Sequence, residues 1–195
     1  MKNFKRSFMR KCIFLDRDGN INIEKDYLYK VEDFEFEKGA LEAIKIFKEL
    51  GYLVVVVTNQ SGVARGYYTE EDVQNLHSFL KKKSLETGGE IDGFYYCPHH
   101  PDKGIGKYNK KCDCRKPGPG MFLKAQKDLD IDFNNSLVVG DKMSDVKAGE
   151  NLGMRGILVR TGHGKKEEFK VESTTEVYDS LYDFALKFQK EHTGH

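Results

Sequence analysis

Two aspartates one residue apart end the first apolar run of the chain, Phe14-Leu15-Asp16-Arg17-Asp18-Gly19. Side chains two positions apart in extended backbone point to the same side, and glycine allows the chain to turn at once. Such a strand presents two carboxylates at its C-terminal edge, where open α/β sheets bind ligands. The pair can bind a hard cation, or divide the roles of nucleophile and general acid/base. On its own, the pattern is also typical of a turn or a calcium loop.

A second reactive group lies in the long polar segment around residues 97–120. Cys97 with His99, and Cys112 with Cys114, form two pairs with the same spacing. Three thiolates and one imidazole suit tetrahedral Zn²⁺ in a closed structural site. His100 is an alternative ligand, but the spacing of the other pair favours His99. Unrelated free cysteines are the competing interpretation, and a disulfide is not expected of a cytoplasmic chain.

Polar residues also follow other predicted strands. The segment Thr58-Asn59-Gln60-Ser61-Gly62 could offer side-chain and backbone donors to a phosphate, or form a simple turn. Asp141 ends a later strand and adds a carboxylate, whereas Asp145 is equally explained as a helix-start residue. Lys116 directly precedes a proline at the end of the cysteine-containing loop, which indicates a positioned lysine rather than a freely solvated one.

The elements that must position these residues alternate between strand and helix signals. The predicted strands span residues 11–15, 52–57, 91–96, 136–140 and 156–159, and the predicted helices span 39–50, 69–86, 122–129, 144–152 and 177–190. Repeated βα units imply a central parallel sheet with helices on both faces, a Rossmann-like three-layer α/β sandwich. No large cap domain is expected, so loops that include residues 20–38 and the cysteine loop should roof the site.

Size and charge restrict the class of protein. For 195 residues we expect one domain over residues 1–195, with a core over 11–162, a zinc loop over 97–116 and a C-terminal helix over 177–190. The balance of 32 Lys+Arg against 31 Asp+Glu argues against a dedicated nucleic-acid binder. No apolar run approaches the roughly 20 residues of a membrane span, and the basic first eleven residues are expected to be a frayed tail. We therefore expect a cytoplasmic monomer with neither a membrane nor a nucleic-acid partner.

The order of Asp16, Asp18, Thr58, Lys116 and Asp141 resembles the four motifs of the haloacid-dehalogenase-like phosphohydrolases, over about residues 12–162. More narrowly, several segments resemble the D-glycero-D-manno-heptose 1,7-bisphosphate 7-phosphatase family, whose near relatives are the histidinol-phosphate phosphatases. These segments are Asp26-Tyr27-Leu28, Phe34-Glu35-Phe36, residues 58–66, Cys97-Pro98-His99-His100-Pro101 and Cys112-Asp113-Cys114-Arg115-Lys116-Pro117. Asn20 departs from the pattern, because many members have Thr or Val there. No catalytic role attaches to this position, and we expect its replacement to have little effect.

The resemblance implies Mg²⁺-dependent phosphomonoester hydrolysis through an aspartyl-phosphate. The substrate would lose its 7-phosphate in nucleotide-activated heptose biosynthesis, for the lipopolysaccharide core or related glycans. Asp16 would be the nucleophile and Asp18 the general acid/base. The carboxylates of Asp16 and Asp141 and the backbone carbonyl of Asp18 would hold Mg²⁺. Thr58 and Lys116 would hold the transferring phosphoryl oxygens. The implied substrate-binding residues are Asn59, Gln60, Ser61, Arg115, Asp26 and Lys142, with Arg115 suited to a second phosphate.

Alternatives remain within and beyond this class. Histidinol phosphate is the other candidate substrate, although residues 61–66 favour the heptose branch. A receiver-like phospho-switch also uses an acidic pocket and Mg²⁺, but an acid/base such as Asp18 beside the nucleophile promotes turnover. The complete polar set argues against a zinc-stapled binding module with a decayed site, and the charge balance argues against a polynucleotide end-phosphatase. The histidines outside the cysteine loop, His77, His163, His192 and His195, are expected at the surface.

Overall fold

The computed structural model describes residues 9–194. Its strands are Cys12–Leu15 (β1), Leu53–Asn59 (β2), Gly93–Cys97 (β3), Leu137–Gly140 (β4), Arg155–Val159 (β5) and Glu176–Tyr178 (β6). Its helices are Ala40–Glu49 (α1), Ser61–Ala64 (α2), Glu70–Glu86 (α3), Gly120–Leu129 (α4), Met143–Glu150 (α5), Gly164–Glu167 (α6) and Leu181–Thr193 (α7). All strand pairs are parallel, and the sheet order is β3-β2-β1-β4-β5-β6.

Two apolar cores cover the two faces of this sheet. Successive residues of β1 face opposite sides, so Ile13 and Leu15 pack in the core that contains residues of α1 and α7. Phe14 packs in the other core, where its ring meets Phe122 of α4 at 5.0 Å between centroids. The central strands are therefore buried on both faces, which explains their continuous β-branched runs. The predicted three-layer α/β fold is confirmed.

The C-terminal part of the chain differs from the prediction of a helix over residues 177–190. Glu176–Tyr178 form a sixth strand beside β5, and α7 begins only at Leu181. Val177 fitted the helical spacing of the following apolar residues, and a three-residue strand is too short to show its own alternation. The start of α7 is set by Ser180, whose side chain accepts a hydrogen bond from the backbone N–H of Asp183.

The prediction of a frayed tail over residues 1–11 is wrong at its end, whereas residues 1–8 lie outside the described part of the chain. The backbone N–H of Arg10 donates to the carbonyl of Asp130 at 2.7 Å, and the carbonyl of Arg10 accepts from the N–H of Asp132 at 2.9 Å. The guanidinium of Arg10 also donates to the carbonyl of Leu129. The chain is thus bound to the end of α4 before β1 begins.

Loops rather than a folded insert cover the C-terminal edge of the sheet. Apart from short 3₁₀ turns and isolated bridges, residues 16–39 and 98–119 contain no helix or strand. No separate cap domain is present within residues 9–194. Among the helices of this range, none has both the length and the apolar character needed to cross a membrane.

Candidate active site

A cavity of about 330 Å³ opens where β1, β2 and β4 end. Parallel strands place their carboxyl ends at one edge, so residues far apart in the sequence meet there. The predicted site residues that line the cavity are Asp16, Asp18, Asp26, Thr58, Asn59, Gln60, Ser61, Arg115, Lys116 and Lys142. Further lining residues are Glu24, Tyr27, Arg65, Tyr68, His100, Ser144, Asp145 and His163.

Lys116 reaches the centre of this site from the loop that precedes α4. Its ammonium donates to Asp16 Oδ1 at 2.9 Å and to the Val57 carbonyl at 2.7 Å, and it contacts Asp145 Oδ1 at 2.7 Å. Only 4% of the residue is exposed. Burial disfavours its charge, but the carboxylates of Asp145 and Asp16 outweigh burial and raise the pKa of Lys116. The lysine is therefore a fixed cation beside the predicted nucleophile.

Three buried carboxylates face one another beside this lysine, one after β1, one after β4 and one in the first turn of α5. Oxygen atoms of Asp16, Asp141 and Asp145 lie within 4.8 Å of one another. Asp141 is fully buried, and its Oδ1 has no hydrogen-bond partner. Burial, followed by the charges of Asp16 and Asp145, raises the pKa of Asp141 well above its usual range. A hard divalent cation would supply both the missing charge and the missing partner, so these residues fit Mg²⁺.

The glycine after the aspartate pair is needed for this close approach. Gly19 has φ +80°, and a Cβ at this position would collide with the carboxylate of Asp141. Gly162, after β5, also approaches Asp141 too closely to carry a side chain. The neighbouring His163 donates its backbone N–H to Asp141 Oδ2 at 2.9 Å. The loops after β1 and β5 thus meet beside the same oxygen of Asp141.

Asp18 lies beside Asp16 and is held by several donors. Asn22 Nδ2 donates to its Oδ1 at 3.0 Å, and Gln60 Nε2 donates to its Oδ2 at 3.0 Å. The guanidinium of Arg17 donates to both oxygens. Burial raises the pKa of Asp18, but the charge of Arg17 and the hydrogen bonds outweigh burial and lower the pKa overall. The carboxylate therefore has one well-defined orientation at the cavity wall.

Asn59, the last residue of β2, and Gln60, which follows it, have more specific contacts than the sequence indicated. Asn59 fixes the backbone of Lys116, since its Oδ1 accepts from the Lys116 N–H at 3.0 Å and its Nδ2 donates to the Lys116 carbonyl at 3.2 Å. Gln60 connects Asp18 to Thr58, because its Nε2 also donates to Thr58 Oγ1 at 2.8 Å. Both amides, predicted to bind substrate, thus organise other site residues.

Two arginines at the cavity mouth have donors that are not used within the chain. Arg65 Nε and Arg115 Nη1 are buried and have no hydrogen-bond partner. His100 lines the same mouth, and burial, together with the charges of Arg115 and Arg65, lowers its pKa. The guanidinium of Arg65 lies over the ring of Tyr27, 5.5 Å from the centroid. Arginine guanidiniums at a cavity wall are suited to binding an anion.

The four predicted zinc ligands come together in the second covering loop. Ligand atoms of Cys97, His99, Cys112 and Cys114 all lie within 4.8 Å of one another, and the three thiols are free of disulfides. His100 is not part of this group, because its Nδ1 accepts hydrogen bonds from the backbone within its own loop. One ion with tetrahedral coordination could contact all four ligand atoms, so the group fits Zn²⁺.

Two expectations about individual residues are corrected. Asn20 is fully buried, and its Nδ2 donates to the carbonyls of Asp16 and Val139, both at 3.1 Å. It connects the end of β1 to β4, so the structure does not support the view that it is dispensable. His77 is buried rather than superficial, and the half-buried His163 contacts Asp141. His192 is exposed as expected, and His195 lies outside the described residues.

Some residues at the site had only weak sequence signals. Arg17 lies just after an apolar run, and a charged residue in such a position can indicate a buried ion pair. Arg65 lies in residues 58–66, which resemble the family, but the resemblance does not by itself give this arginine a role. Asp145 was compatible with a helix start alone, and it does accept from the backbone N–H of Lys142. His163 had no local signal, because only the crossover after β5 brings it to Asp141.

The parallel sheet and the polar residues at its edge define a hydrolase of the haloacid-dehalogenase-like (HAD-like) class. Residues 113–184 match the family model described as HAD-hydrolase-like. A solved structure of a D,D-heptose 1,7-bisphosphate phosphatase from B. bronchiseptica, complexed with magnesium and phosphate, superposes with a TM-score of 0.82. It is 33% identical, and the match covers 93% of this chain and 99% of that one.

Curated relatives narrow the class further. D-glycero-beta-D-manno-heptose-1,7-bisphosphate 7-phosphatase of Pasteurella multocida is 45% identical over 176 residues, which cover 90% of this chain and 95% of the relative. The enzyme of the same name from Vibrio cholerae is 47% identical over 175 residues, covering 89% and 94%. A relative from Photorhabdus laumondii named for the alpha anomer is 46% identical over 158 residues, covering 80% and 86%. The chain belongs to the D-glycero-D-manno-heptose-1,7-bisphosphate 7-phosphatase family.

Proposed function

We propose that the protein removes the 7-phosphate of D-glycero-D-manno-heptose 1,7-bisphosphate. The observation that carries the proposal is that Asp16, Asp18 and Lys116 line one cavity, with Asp141 buried beside Asp16, and that arginines with unpartnered nitrogens line the same cavity. The first group suits attack on a phosphate, and the second suits a further anionic group on the same small substrate. The names of the curated relatives support this substrate class.

In the first half of the reaction, a carboxylate oxygen of Asp16 attacks phosphorus. As the new O–P bond forms, the bond from phosphorus to the sugar oxygen breaks, and Asp18 gives its proton to that oxygen. In the second half, Asp18 takes a proton from water, which attacks phosphorus and restores Asp16 with release of phosphate. Lys116 and Thr58 offer donors to the transferring oxygens, where charge is spread in the transition state.

We assign the catalytic cation to Mg²⁺, held by the carboxylates of Asp16 and Asp141 and by the backbone carbonyl of Asp18. When bound, it would offset the repulsion between the attacking carboxylate and the phosphate. Asp145 would leave its charge paired with Lys116 instead of adding a ligand, because its oxygens already bond the ammonium and the start of α5. Lys142, at the same edge, would balance the remaining negative charge.

The second phosphate of the substrate would bind between Arg65 and Arg115. Each guanidinium has one buried nitrogen without a partner, and an ion that accepts from both would remove that cost. Histidinol phosphate is less suited to this mouth, because it lacks a second phosphate and carries an amine that the two arginines would repel. The arginine donors therefore favour the bisphosphate over this alternative.

We further propose that Zn²⁺ is bound by Cys97, His99, Cys112 and Cys114. Arg115 and Lys116 follow the last ligand directly, so the ion would hold both cations in a segment without helix or strand. The cytoplasmic location and the monomeric state remain predictions, and light scattering of the purified protein tests the second.

The decisive experiment measures phosphate release from both anomers of heptose 1,7-bisphosphate and from histidinol phosphate, with Mg²⁺ present. We expect sustained turnover of at least one heptose anomer and a much lower rate on histidinol phosphate. Asp16→Asn should abolish both, and survival of activity in this variant would exclude the covalent mechanism. A preference for histidinol phosphate would exclude the proposed substrate. A long-lived phosphoprotein without release would favour the phospho-switch.

A further inference from the structure

Arg17 lies at the centre of a buried network behind the acid/base candidate. The residue is 1% exposed. Its Nη2 donates to both carboxylate oxygens of Asp18 at 3.1 Å and also to the carbonyl of Leu28 and to Gln60 Oε1 at 3.2 Å. Its Nε approaches Asp18 Oδ1 at 3.3 Å. A buried guanidinium is tolerated only when its donors are satisfied, so each of these contacts restricts its position.

The outer side of this guanidinium contacts His77 of α3. Arg17 Nη1 lies 3.3 Å from His77 Nε2. Because arginine can only donate, Nε2 must accept, and the imidazole is therefore neutral with its proton on Nδ1. Burial, followed by the charge of Arg17, lowers the pKa of His77 to about 3. The ring is held by stacking on Phe94, with 4.7 Å between centroids and 18° between planes.

These contacts connect a helix on one side of the cavity to the carboxylate on its wall. The imidazole orients the guanidinium, and the guanidinium orients Asp18. Without an acceptor at position 77, Arg17 Nη1 would be a buried charged donor with no partner, which is costly to leave in place. The guanidinium would then tilt towards another acceptor, and the carboxylate that it holds would move with it. Proton transfer is sensitive to such displacements.

We propose that His77 and Arg17 are positioning residues that hold Asp18 in the orientation from which it protonates the leaving oxygen. His77 acts only through Arg17, and neither residue lines the cavity. The proposal rests on the proposed function in one respect, namely that Asp18 is the acid. It does not depend on which sugar phosphate is the substrate.

The leaving group of the substrate separates this role from general damage to the site. An alkoxide leaving oxygen needs the proton of Asp18, whereas p-nitrophenolate departs without it. We would compare kcat/KM for p-nitrophenyl phosphate with kcat/KM for whichever sugar phosphate the wild-type protein hydrolyses fastest. This parameter includes only the steps up to departure of the alcohol, so it omits the later role of Asp18 as a base.

Two variants separate the acceptor of His77 from its packing. His77→Phe retains a ring that can stack on Phe94 but lacks the acceptor, whereas His77→Gln retains an acceptor and loses the ring. We expect His77→Phe to lower kcat/KM for the sugar phosphate by about tenfold or more, which is a part of the usual contribution of acid–base catalysis. For p-nitrophenyl phosphate, kcat/KM should change by less than about twofold. His77→Gln should recover most of the loss.

Three outcomes would overturn the proposal. The first is an equal loss on both substrates in His77→Phe, which would indicate a structural role alone. The second is full activity of His77→Phe on both substrates. The third concerns Asp18→Asn, which should show the same selectivity for leaving group: a further loss of sugar-phosphate kcat/KM when His77→Phe is added would show that His77 does not act through Asp18. If the wild-type protein prefers another sugar phosphate, only the proposed substrate fails.

Discussion

At the scale of single residues, the site depends on charges whose partners come from distant parts of the sequence. Lys116 lies between Asp16 and Asp145, and it is these carboxylates that keep its charge stable in a buried position. Breaking a buried pair on one side leaves an uncompensated charge. We therefore expect Asp145 to affect catalysis through the charge of Lys116.

Asp145→Asn tests this dependence. The amide keeps the size of the side chain and an acceptor for the start of α5, but removes the charge beside Lys116. We expect kcat/KM for the sugar phosphate to fall by about tenfold, since hydrogen bonds to charged groups contribute about 1.5–3 kcal/mol. The matched control is Asp72→Asn, which occupies the same capping position in α3 without a lysine partner and should retain activity. Equal activity of the two variants would contradict the prediction.

Arg65 offers a second test at the residue scale. Arg65→Met removes one guanidinium donor from the cavity mouth while keeping an aliphatic side chain. We expect KM for heptose 1,7-bisphosphate to rise by about tenfold, from the loss of a charged hydrogen bond. With heptose 7-phosphate, which has no second phosphate, KM should change little. A similar rise for both substrates would argue against a 1-phosphate position between the arginines.

At the scale of elements, a loop without a long helix or strand positions two of the cations at the site. Residues 98–119 contain no regular element apart from a 3₁₀ turn, yet they deliver Arg115 and Lys116 to the cavity. Two hydrogen bonds between the Asn59 side chain and the Lys116 backbone hold the end of this loop, and we expect a zinc ion on the group of four ligands to be a second anchor. Removing one anchor should loosen both cations together.

Removal of zinc is the corresponding experiment. Protein that is stripped of zinc by a chelator and resupplied with Mg²⁺ should have a kcat lower by about tenfold to a hundredfold and a raised KM. This loss of kcat is smaller than the loss that removal of a whole transition-state donor can cause, because Lys116 would be loosened and not removed. Elemental analysis should find one zinc per chain before stripping. Cys112→Ser should lower the zinc content, whereas Cys12→Ala, at a buried cysteine outside the group, should not. Full turnover of zinc-free protein would refute the anchoring role.

At the scale of the whole molecule, stability is coupled to pH through the buried histidine. In the unfolded chain, His77 titrates near 6.5, whereas burial and Arg17 lower its folded pKa to about 3. Between these values the unfolded state binds more protons at His77, so the contribution of this residue to stability is fully present above about pH 6.5 and is lost progressively as the pH falls towards 3.

Urea unfolding at pH 7 and pH 5 measures this coupling. From pH 7 to pH 5, the free energy of unfolding of the wild-type protein should fall by about 2 kcal/mol more than that of His77→Gln. The reason is that only the wild-type chain has a histidine at position 77 that must stay neutral when folded. Carboxylates and metal ligands titrate in both proteins, so their contributions cancel in the comparison. The same loss in both proteins would mean that His77 is not held neutral by the fold.

Much of the fold could be predicted from the sequence, because strongly apolar runs and helix caps are local signals. The apolar runs of β1, β2 and β4 are recognisable in the sequence. Asp16, Thr58 and Asp141 directly follow these runs, so the chain must place them at the same edge of the sheet. The short strand β6 was missed, since three residues cannot show a period.

The sequence by itself determined which polar residues end the central strands and which four side chains could bind zinc, because both depend on short spacings along the chain. Only the tertiary structure decided how they are paired. Lys116 contacts Asp145 and Arg17 contacts His77 across separate elements, and Arg65 and Arg115 line one cavity from two different loops. Burial then gives these pairs their importance, because a charge or donor removed from water must find its partner within the fold.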